Sequence, residues 1–318
     1  MSETKNAPPS RRKFFALAAG AATAVAGGAL LPILGGARTA HADLPPGAIP
    51  AGSDEVLRMT VDLRRALEKK PGERRYGMVI DTRRCIGCSA CTVACIAENN
   101  LPAGVMYRTV PEVEDGTYPD VRRIFMPTNC AQCENPPCVP AANKVIPGSM
   151  KRRPDGIVEI DYTRMKGRKV FEAAKKACPY SALSLDEGKA HTAGTPALQA
   201  YENRAAIEYG RAWTRKETSG SVRKCHFCAQ RLDVGMLPAC VTTCTGVAMH
   251  FGDLNDTKSL VAELSATGLA KRLEPGKGTG PRVWYLDDFP EDASTHPAAK
   301  TRRVVSCGSC HEFGEKAK

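Results

Sequence analysis

The chain has 318 residues, enough for one large or two small domains, and it combines fourteen cysteines with only 6% aromatic residues. Its formal net charge is +11, but residues 1–42 carry +4 of this, with five basic residues and one acidic residue. The rest of the chain has no block of Lys and Arg with interleaved aromatic residues, so we set nucleic-acid binding aside. So few large side chains predict a thin apolar core, which metal–thiolate bonds can stabilise.

Residues 1–42 have the pattern of a cleaved export signal. The pair Arg11 and Arg12, followed by Phe14, resembles a twin-arginine signal, which exports folded proteins. A small-residue apolar run extends to about residue 37, and Ala-His-Ala at 40–42 fits a cleavage site. The alternative is a membrane anchor, which the Ala, Gly and Pro content of the run disfavours. No later stretch approaches about 18 consecutive apolar residues, so we expect the mature protein to be soluble. The export signal predicts a periplasmic location, and we expect association with the membrane through partners.

Residues 43–75 read as an N-terminal leader and a helix. Residues 43–52 are rich in Pro, Gly and Ala. From Ser53 to about Lys69 the chain can form an amphipathic helix with Ser53 as its N-cap. The predicted apolar side of this helix comprises Val56, Leu57, Thr60, Val61 and Leu67. Residues 76–80 then form a short apolar strand that leads into the first cysteine.

The first cysteine group has the spacing C-x2-C-x2-C-x3-C, which is the run of a bacterial ferredoxin. Its members are Cys85, Cys88, Cys91 and Cys95. In such a run three thiolates converge on one cubane, while the fourth is carried away on the following helix and ligates a different cluster. The run therefore predicts a second cysteine group elsewhere in the chain.

Further cysteine groups follow with coordinated gaps. They are Cys130, Cys133 and Cys138; the lone Cys178; and Cys225, Cys228, Cys240 and Cys244. Zinc is the main alternative for any C-x2-C pair taken alone, and disulfides are the usual form of cysteines in an exported protein. Four-cysteine runs with a trailing x3 cysteine favour iron–sulfur clusters. Export of an already folded protein removes the conflict with an oxidising compartment, because the clusters are built in the cytoplasm.

These groups, with the segments between them, resemble the iron–sulfur electron-transfer subunits of the dimethyl sulfoxide, polysulfide and tetrathionate reductase family. The matching segments lie within residues 76–286, at 77–81, 85–88, 133–138, 156–162, 237–240 and 251–256. The expected fold is α+β, with tandem bacterial ferredoxin-like (4Fe–4S dicluster) units made of short strands and cluster loops, and with an extended C-terminal tail.

The resemblance also implies that the cysteine groups pair crosswise. Carried over by motif position, set one is Cys85, Cys88, Cys91 and Cys244. Set two is Cys225, Cys228, Cys240 and Cys95. Set three is Cys130, Cys133, Cys138 and Cys178. Each set is expected to hold one [4Fe–4S] cluster, and each oxidised cluster with four thiolates adds about −2 to the charge of the chain.

The family pattern has sixteen cysteines in four groups, enough for a fourth cluster, but the positions of that cluster's ligands hold no cysteine in this chain. Its position in the second group is Ala142. Its positions in the third group hold Arg168, Phe171 and Ala174, or begin at Met165 when counted from the preceding motif. Since all the missing ligands belong to one cluster, we predict three clusters and one site that was lost as a unit.

Three other elements are predicted outside the cysteine groups. They are a basic helix over residues 164–176, an inserted helix at 195–210 capped by Thr195 with Pro196 at its first position, and a helix capped by Asn255 or Asp256 and ending near Gly268. A closing strand is expected at 282–286.

Residues 287–318 read as a linker and a tail. The tail contains Cys307, Cys310 and His311 in the C-x2-C-H signature of c-type haem attachment. In that signature the cysteines form thioethers with the porphyrin and the histidine ligates iron. A disulfide, a redox-active dithiol and a zinc site are the alternatives.

Taken together, these features predict a periplasmic electron-transfer subunit. It would carry electrons through three clusters between a membrane quinone-linked subunit or a cytochrome c and a catalytic subunit, which the resemblance suggests contains molybdopterin. The sequence shows no nucleophile–base pattern, phosphate loop or open metal site, so we expect catalysis in a partner. The alternatives are an exported zinc- or disulfide-stabilised binding protein, and an enzyme with chemistry at an exposed cluster or at the tail dithiol.

Overall fold

Helices and short strands alternate along residues 54–188 and 218–287, the part of the chain that the computed structural model describes. The helices are α1 (Glu55–Glu68), α2 (Ala90–Glu98), α3 (Cys138–Val145), α4 (Arg168–Ala177), α5 (Ala229–Leu232), α6 (Ala239–Thr242) and α7 (Leu260–Ser265), with short 3-10 helices at Thr82–Arg84 and Pro275–Lys277. The strands are β1 (Tyr76–Asp81), β2 (Arg108–Thr109), β3 (Glu112–Thr117), β4 (Asp120–Phe125), β5 (Thr128–Asn129), β6 (Met150–Arg152), β7 (Val158–Ile160), β8 (Ser184–Leu185), β9 (Val222–Arg223), β10 (Met249–Asp253), β11 (Ala270–Arg272) and β12 (Val283–Leu286). The predicted mixture of helices and strands is confirmed, whereas the tandem arrangement of ferredoxin-like units stays a prediction.

The largest sheet of the described residues has the strand order β10-β1-β12-β11. β1 pairs antiparallel with β10, from Tyr76 opposite Asp253 to Ile80 opposite Met249. On its other side β1 pairs parallel with β12. All residues of β1 are buried, as expected for a central strand that is covered on both faces. The strands predicted at 76–80 and 282–286 are therefore confirmed.

Helix α1 covers this sheet, but its start and its apolar side differ from the prediction. Asp54, not Ser53, is the N-cap, and its carboxylate accepts a hydrogen bond from the amide of Val56 at 2.9 Å. The buried side is formed by Met59 and Leu63, while Leu57 is 38% exposed. The predicted face was confirmed in part: Val61 is buried and Val56 and Leu67 pack against the core, whereas Leu57 lies on the solvent side and Met59 and Leu63 were missed.

The cap predicted for α7 was also displaced. Ser259 caps this helix, and its hydroxyl accepts a hydrogen bond from the amide of the third helical residue at 3.2 Å. Asp256 accepts instead from the amide of Lys258 at 3.1 Å and from the guanidinium of Arg65 in α1 at 2.6 Å. The acidic residue before the helix therefore connects two elements and shapes the preceding turn.

A second apolar core lies around α3 and α4, which pack against each other. The predicted basic helix is found as α4, beginning at Arg168. Beside this core, β8 and β9 form a short ladder that carries a buried ion pair. Arg223 lies 3.4 Å from Asp186, with their side chains 1% and 0% exposed. Removing one partner of a buried ion pair lowers the free energy of unfolding by about 3–5 kcal/mol. The pair therefore holds β9, and the cysteine loop that follows it, in place.

Several predicted elements lie outside the described residues. They are the signal at 1–42, the leader up to residue 53, the inserted helix at 195–210 and the tail beyond residue 287. In the ranges that are described, no helix has the length and apolarity needed to cross a membrane.

Candidate metal centre

The pairing of β1 with β10 brings the first and fourth cysteine groups together. Because the strands are antiparallel, the loop that leaves β1 and the loop that enters β10 lie at the same end of the sheet. The Sγ atom of Cys88 lies 3.4 Å from the hydroxyl of Thr245, and the amide of Ala248 donates to Sγ of Cys244 at 3.2 Å. Gly246 makes this approach possible, since a Cβ at that position would collide with the carbonyl oxygen of Arg84.

The thiols of set one influence one another electrostatically. Burial raises the pKa of Cys85, and the thiols of Cys244 and Cys88 act in the same direction. Burial together with the thiols of Cys240 and Cys244 raises the pKa of Cys91 to about 11. Cys88 differs because it is exposed, and the hydrogen bond with Thr245 lowers the pKa of its thiol. Set one therefore contains one thiol at the surface.

Set two is more deeply buried than set one, and two of its four thiols contact Asn99, a residue that the sequence analysis did not identify. Helix α2, which carries Cys95, packs against α6, which carries Cys240. The buried side-chain amide of Asn99 donates to Sγ of Cys95 at 3.5 Å and to Sγ of Cys228 at 3.8 Å. Burial and the thiols of Cys228 and Cys225 raise the pKa of Cys95 well above its ordinary value. The last cysteine of the first group thus lies among cysteines more than 120 positions downstream.

Set three lines a cavity of about 330 Å³ that includes space open to solvent. All four of its cysteines border this cavity, with Pro137, Tyr180 and Lys224 among the other lining residues. Burial and the thiol of Cys130 raise the pKa of both Cys133 and Cys138 to about 12. The ammonium of Lys224 acts in the opposite direction on Cys138. Metal binding at such thiols requires their deprotonation and releases protons.

The sets adjoin one another. The thiol of Cys240 in set two acts on Cys91 in set one. On the other side, burial and the thiol of Cys130 in set three raise the pKa of Cys225 to about 11. Set two therefore has set one and set three as neighbours.

Three C-x2-C loops share a left-handed backbone conformation that orients their thiols. The residue before the second cysteine has a left-handed conformation in each: Gly87 with φ 72°, Gln132 with φ 48° and Phe227 with φ 55°. Of these three residues, only Gly87 could be predicted from the sequence to adopt this conformation, because glycine has no Cβ and adopts it without steric cost. Gln132 is held in place by its side chain, which donates to the carbonyl of Cys225 at 2.6 Å and accepts from the amide of Val158 at 2.8 Å.

The chemistry of the site fits a negatively charged metal–thiolate group. All twelve cysteines within the described ranges are free thiols. Arg108 is 2% exposed, and its Nη1 atom has no hydrogen-bond partner there. Burying a cation is costly without an anionic partner, which cluster thiolates would supply. Also within the described ranges, no three Cys, His, Asp or Glu side chains converge closely enough to ligate a single metal ion.

Most of the positions that the sequence analysis assigned to a lost fourth cluster lie in an apolar core. Ala142, Met165 and Ala174 are each 0% exposed and belong to one apolar cluster of the described residues. Phe171 packs against the same cluster, whereas Arg168 points outward and pairs with Glu187. Apart from Arg168, these positions are therefore filled with side chains that pack together.

The predicted haem residues Cys307, Cys310 and His311 lie outside the described residues. Haem attachment at the tail stays a prediction.

Comparison with known proteins gives consistent matches. The family model described as a 4Fe-4S dicluster domain matches residues 121–195 and 197–254. The sequence is 46% identical over 296 residues to the B subunit of selenate reductase from Mesobacillus selenatarsenatis, a match that covers 89% of this chain and 98% of that protein. It is 34% identical to the B subunit of tetrathionate reductase from Salmonella typhimurium, covering 76% of this chain and 84% of that protein. It is 32% identical to the B component of polysulfide reductase from Wolinella succinogenes, covering 67% and 94%.

These relatives align along most of their own length and the dicluster domain is matched independently, so the family predicted from the sequence is confirmed. The protein belongs to the family of iron–sulfur electron-transfer subunits of the dimethyl sulfoxide, polysulfide and tetrathionate reductases.

Proposed function

We propose that this protein holds three [4Fe–4S] clusters and conducts electrons between a catalytic subunit and a membrane or cytochrome partner. The observation that carries this proposal is the spatial arrangement of its thiols. Cysteines from distant parts of the chain meet in sets one, two and three, and set two adjoins both others. A row of adjoining metal sites suits electron transfer.

The residues of the three sets would hold the clusters through four thiolates each. A bound cubane supplies a one-electron redox centre whose potential depends on charge, on hydrogen bonds to sulfur and on exposure. The protein supplies these influences at each set. Asn99 donates to two sulfurs of set two, Thr245 contacts an exposed sulfur of set one, and Lys224 borders the cavity of set three.

The partners are inferred from the relatives. The matched proteins are the B subunits of selenate and tetrathionate reductases and the B component of polysulfide reductase. We propose a molybdopterin-containing catalytic subunit that reduces an inorganic acceptor of this kind, with selenate as the first to assay. A quinone-interacting membrane subunit or a cytochrome c would exchange electrons at the other end. The twin-arginine motif supports a periplasmic location for the complex.

We also propose that the tail carries one c-type haem. The support is the sequence alone, in which Cys307, Cys310 and His311 follow a linker rich in Pro, Ala and Asp. A haem at this position would extend electron transfer towards a cytochrome.

The test is an anaerobic purification of the mature full-length protein, with assays of iron, acid-labile sulfide, zinc and haem. We expect about twelve non-haem irons per protein molecule, together with a haem band after reduction in cells that mature cytochromes c. About sixteen irons would contradict the loss of the fourth cluster. Zinc or disulfides in place of iron would reject electron transfer in favour of a binding protein. A variant with both tail cysteines changed to Ser should lose the haem band and keep its non-haem iron.

A further inference from the structure

Arg108 occupies a buried position next to the thiols of both set one and set two. It lies in β2, which pairs with β5 so that Arg108 is opposite Asn129. β2 also packs against α2, the helix that carries Cys91 of set one and Cys95 of set two. On the other side, the amide of Asn129 lies 3.9 Å from Sγ of Cys225 in set two. The guanidinium is therefore enclosed by elements that bear thiols of two sets.

The hydrogen bonds of Arg108 hold one end of its guanidinium and leave the other free. Nη2 donates to Oδ1 of Asn129 at 3.1 Å and to Sδ of Met78 at 3.2 Å. Nη1 is buried without a partner among the described residues. No Asp or Glu of the described ranges forms an ion pair with Arg108, although an isolated buried cation is strongly unfavourable.

The groups that compensate this charge are the cysteines. Burial disfavours the charged form of Arg108, and the nearby Cys240 and Cys91 would favour it once their thiols are deprotonated for metal binding. Cys225 and Cys95 act in the same direction. In turn, Arg108 favours the charged form of Cys85, Cys91, Cys95 and Cys225. Sets one and two thus share one cation.

We propose that Arg108 is the buried counter-charge of the clusters held by sets one and two, and that it raises the reduction potentials of both. This inference rests on the proposed function. Reduction adds one electron, and hence one negative charge, to a cluster, while Arg108 keeps its proton and remains singly positive. A fixed neighbouring cation favours the reduced form, and burial prevents water from screening it. The cluster of set three has Lys224 beside it and is not expected to respond to Arg108.

The test is a redox titration of the full-length protein followed by EPR, with iron content measured in parallel. Arg108→Gln and Arg108→Met remove the charge, and Arg108→Lys retains it. In the neutral variants we expect the reduction equilibrium of two clusters to fall at least tenfold, which is about 59 mV for one electron. The third cluster should be unchanged, and Arg108→Lys should restore most of the shift.

Arg74→Gln is the matched control. Arg74 is 8% exposed, and its Cζ atom lies 5.5 Å from the centroid of the Tyr76 ring. Like Nη1 of Arg108, its Nε atom has no hydrogen-bond partner among the described residues. The hydrogen bond of Arg74 in the described ranges goes to the carbonyl of Ala66, and no hydrogen bond to a thiol is found there. Removing this second buried arginine should leave all three potentials unchanged.

Each outcome decides the inference. If the neutral variants lose the iron of two clusters while Arg108→Lys and Arg74→Gln keep all three, the shared counter-charge is supported. Unmoved potentials in assembled neutral variants would overturn it, as would equal shifts in all three clusters or the same defect in Arg108→Lys. If the wild-type protein contains no reducible cluster, the proposed function fails instead, and the two failures are distinguished.

Discussion

Cys85 and Cys95 lie ten positions apart in one motif, yet they are expected to serve different clusters. We therefore predict that Cys85→Ala and Cys95→Ala abolish different EPR signals. Cys85 is influenced by Cys244 and Cys88, which belong to set one. Cys95 is influenced by Cys228 and Cys225 and shares the amide of Asn99 with Cys228. The second substitution should thus damage a cluster whose other ligands lie far downstream.

The size of the effect follows from the composition of the sets. Each set has four thiols, so the loss of one cluster removes about four of about twelve irons, or one third of the total. The two variants should differ in stability. Cys95 lies in the buried core with Cys228 and Cys240, whereas set one includes the exposed Cys88. Because metal binding contributes folding free energy, losing the more deeply buried cluster should lower the thermal midpoint further.

The assay compares iron content, EPR spectra of the reduced proteins and thermal unfolding under anaerobic conditions. Val93→Ala is the matched control, since Val93 lies on α2, falls between Cys85 and Cys95 in the sequence and is 65% exposed. This variant should retain all its iron and every signal. If Cys85→Ala and Cys95→Ala lost the same signal, the crosswise pairing of the first and fourth groups would be wrong.

Two further predictions concern backbone approach and core packing. Gly246→Ala should reduce the iron content of set one, because the added Cβ forces its loop away from the carbonyl of Arg84. The control is Gly268→Ala, at a position with open space around it, which should keep full iron content and stability. Equal iron content in both variants would contradict the close approach. Met165→Ala should destabilise the protein by about 2–5 kcal/mol through the cavity that it leaves, with no loss of iron. The control is Met106→Ala, at a site 47% exposed, which should lower the free energy of unfolding by less than about 0.5 kcal/mol. Similar denaturation midpoints in the two methionine variants would refute a packed core at the position of the fourth cluster.

The sequence was sufficient to predict features that depend on local patterns. The apolar run at 76–80 predicted β1, and the basic run at 164–176 predicted the helix that begins at Arg168. The cysteine spacings, with the family resemblance, predicted twelve thiol ligands in three sets. These signals are strong because ligand geometry restricts which gaps a motif can have.

Features that depend on tertiary contacts could not be read from the sequence. Asn99 and Arg108 have no motif, and their roles become visible only when α2 and β2 meet the loop of Cys225. The left-handed conformation of Gln132 and Phe227 is likewise imposed by packing and hydrogen bonds, since neither residue favours it. The cap of α1 was missed by one residue, because Ser53 and Asp54 are adjacent and both residue types are good N-caps.

If a fourth cluster was lost as a unit, as the sequence predicts, the apolar core at its position gives a physical reason for the joint absence of its ligands. A site with three cysteines and one alanine would leave buried thiols that neither bind a cubane well nor pack like a hydrocarbon. Replacing the full set lets Ala142, Met165 and Ala174 fill the space, and the core then gains stability by burial instead of by metal bonds. Under the proposed function, set two is the buried middle of the conducting row. Exchange with partners then falls to set one, through the exposed Cys88, and to set three, through the cavity that its cysteines line and that includes space open to solvent.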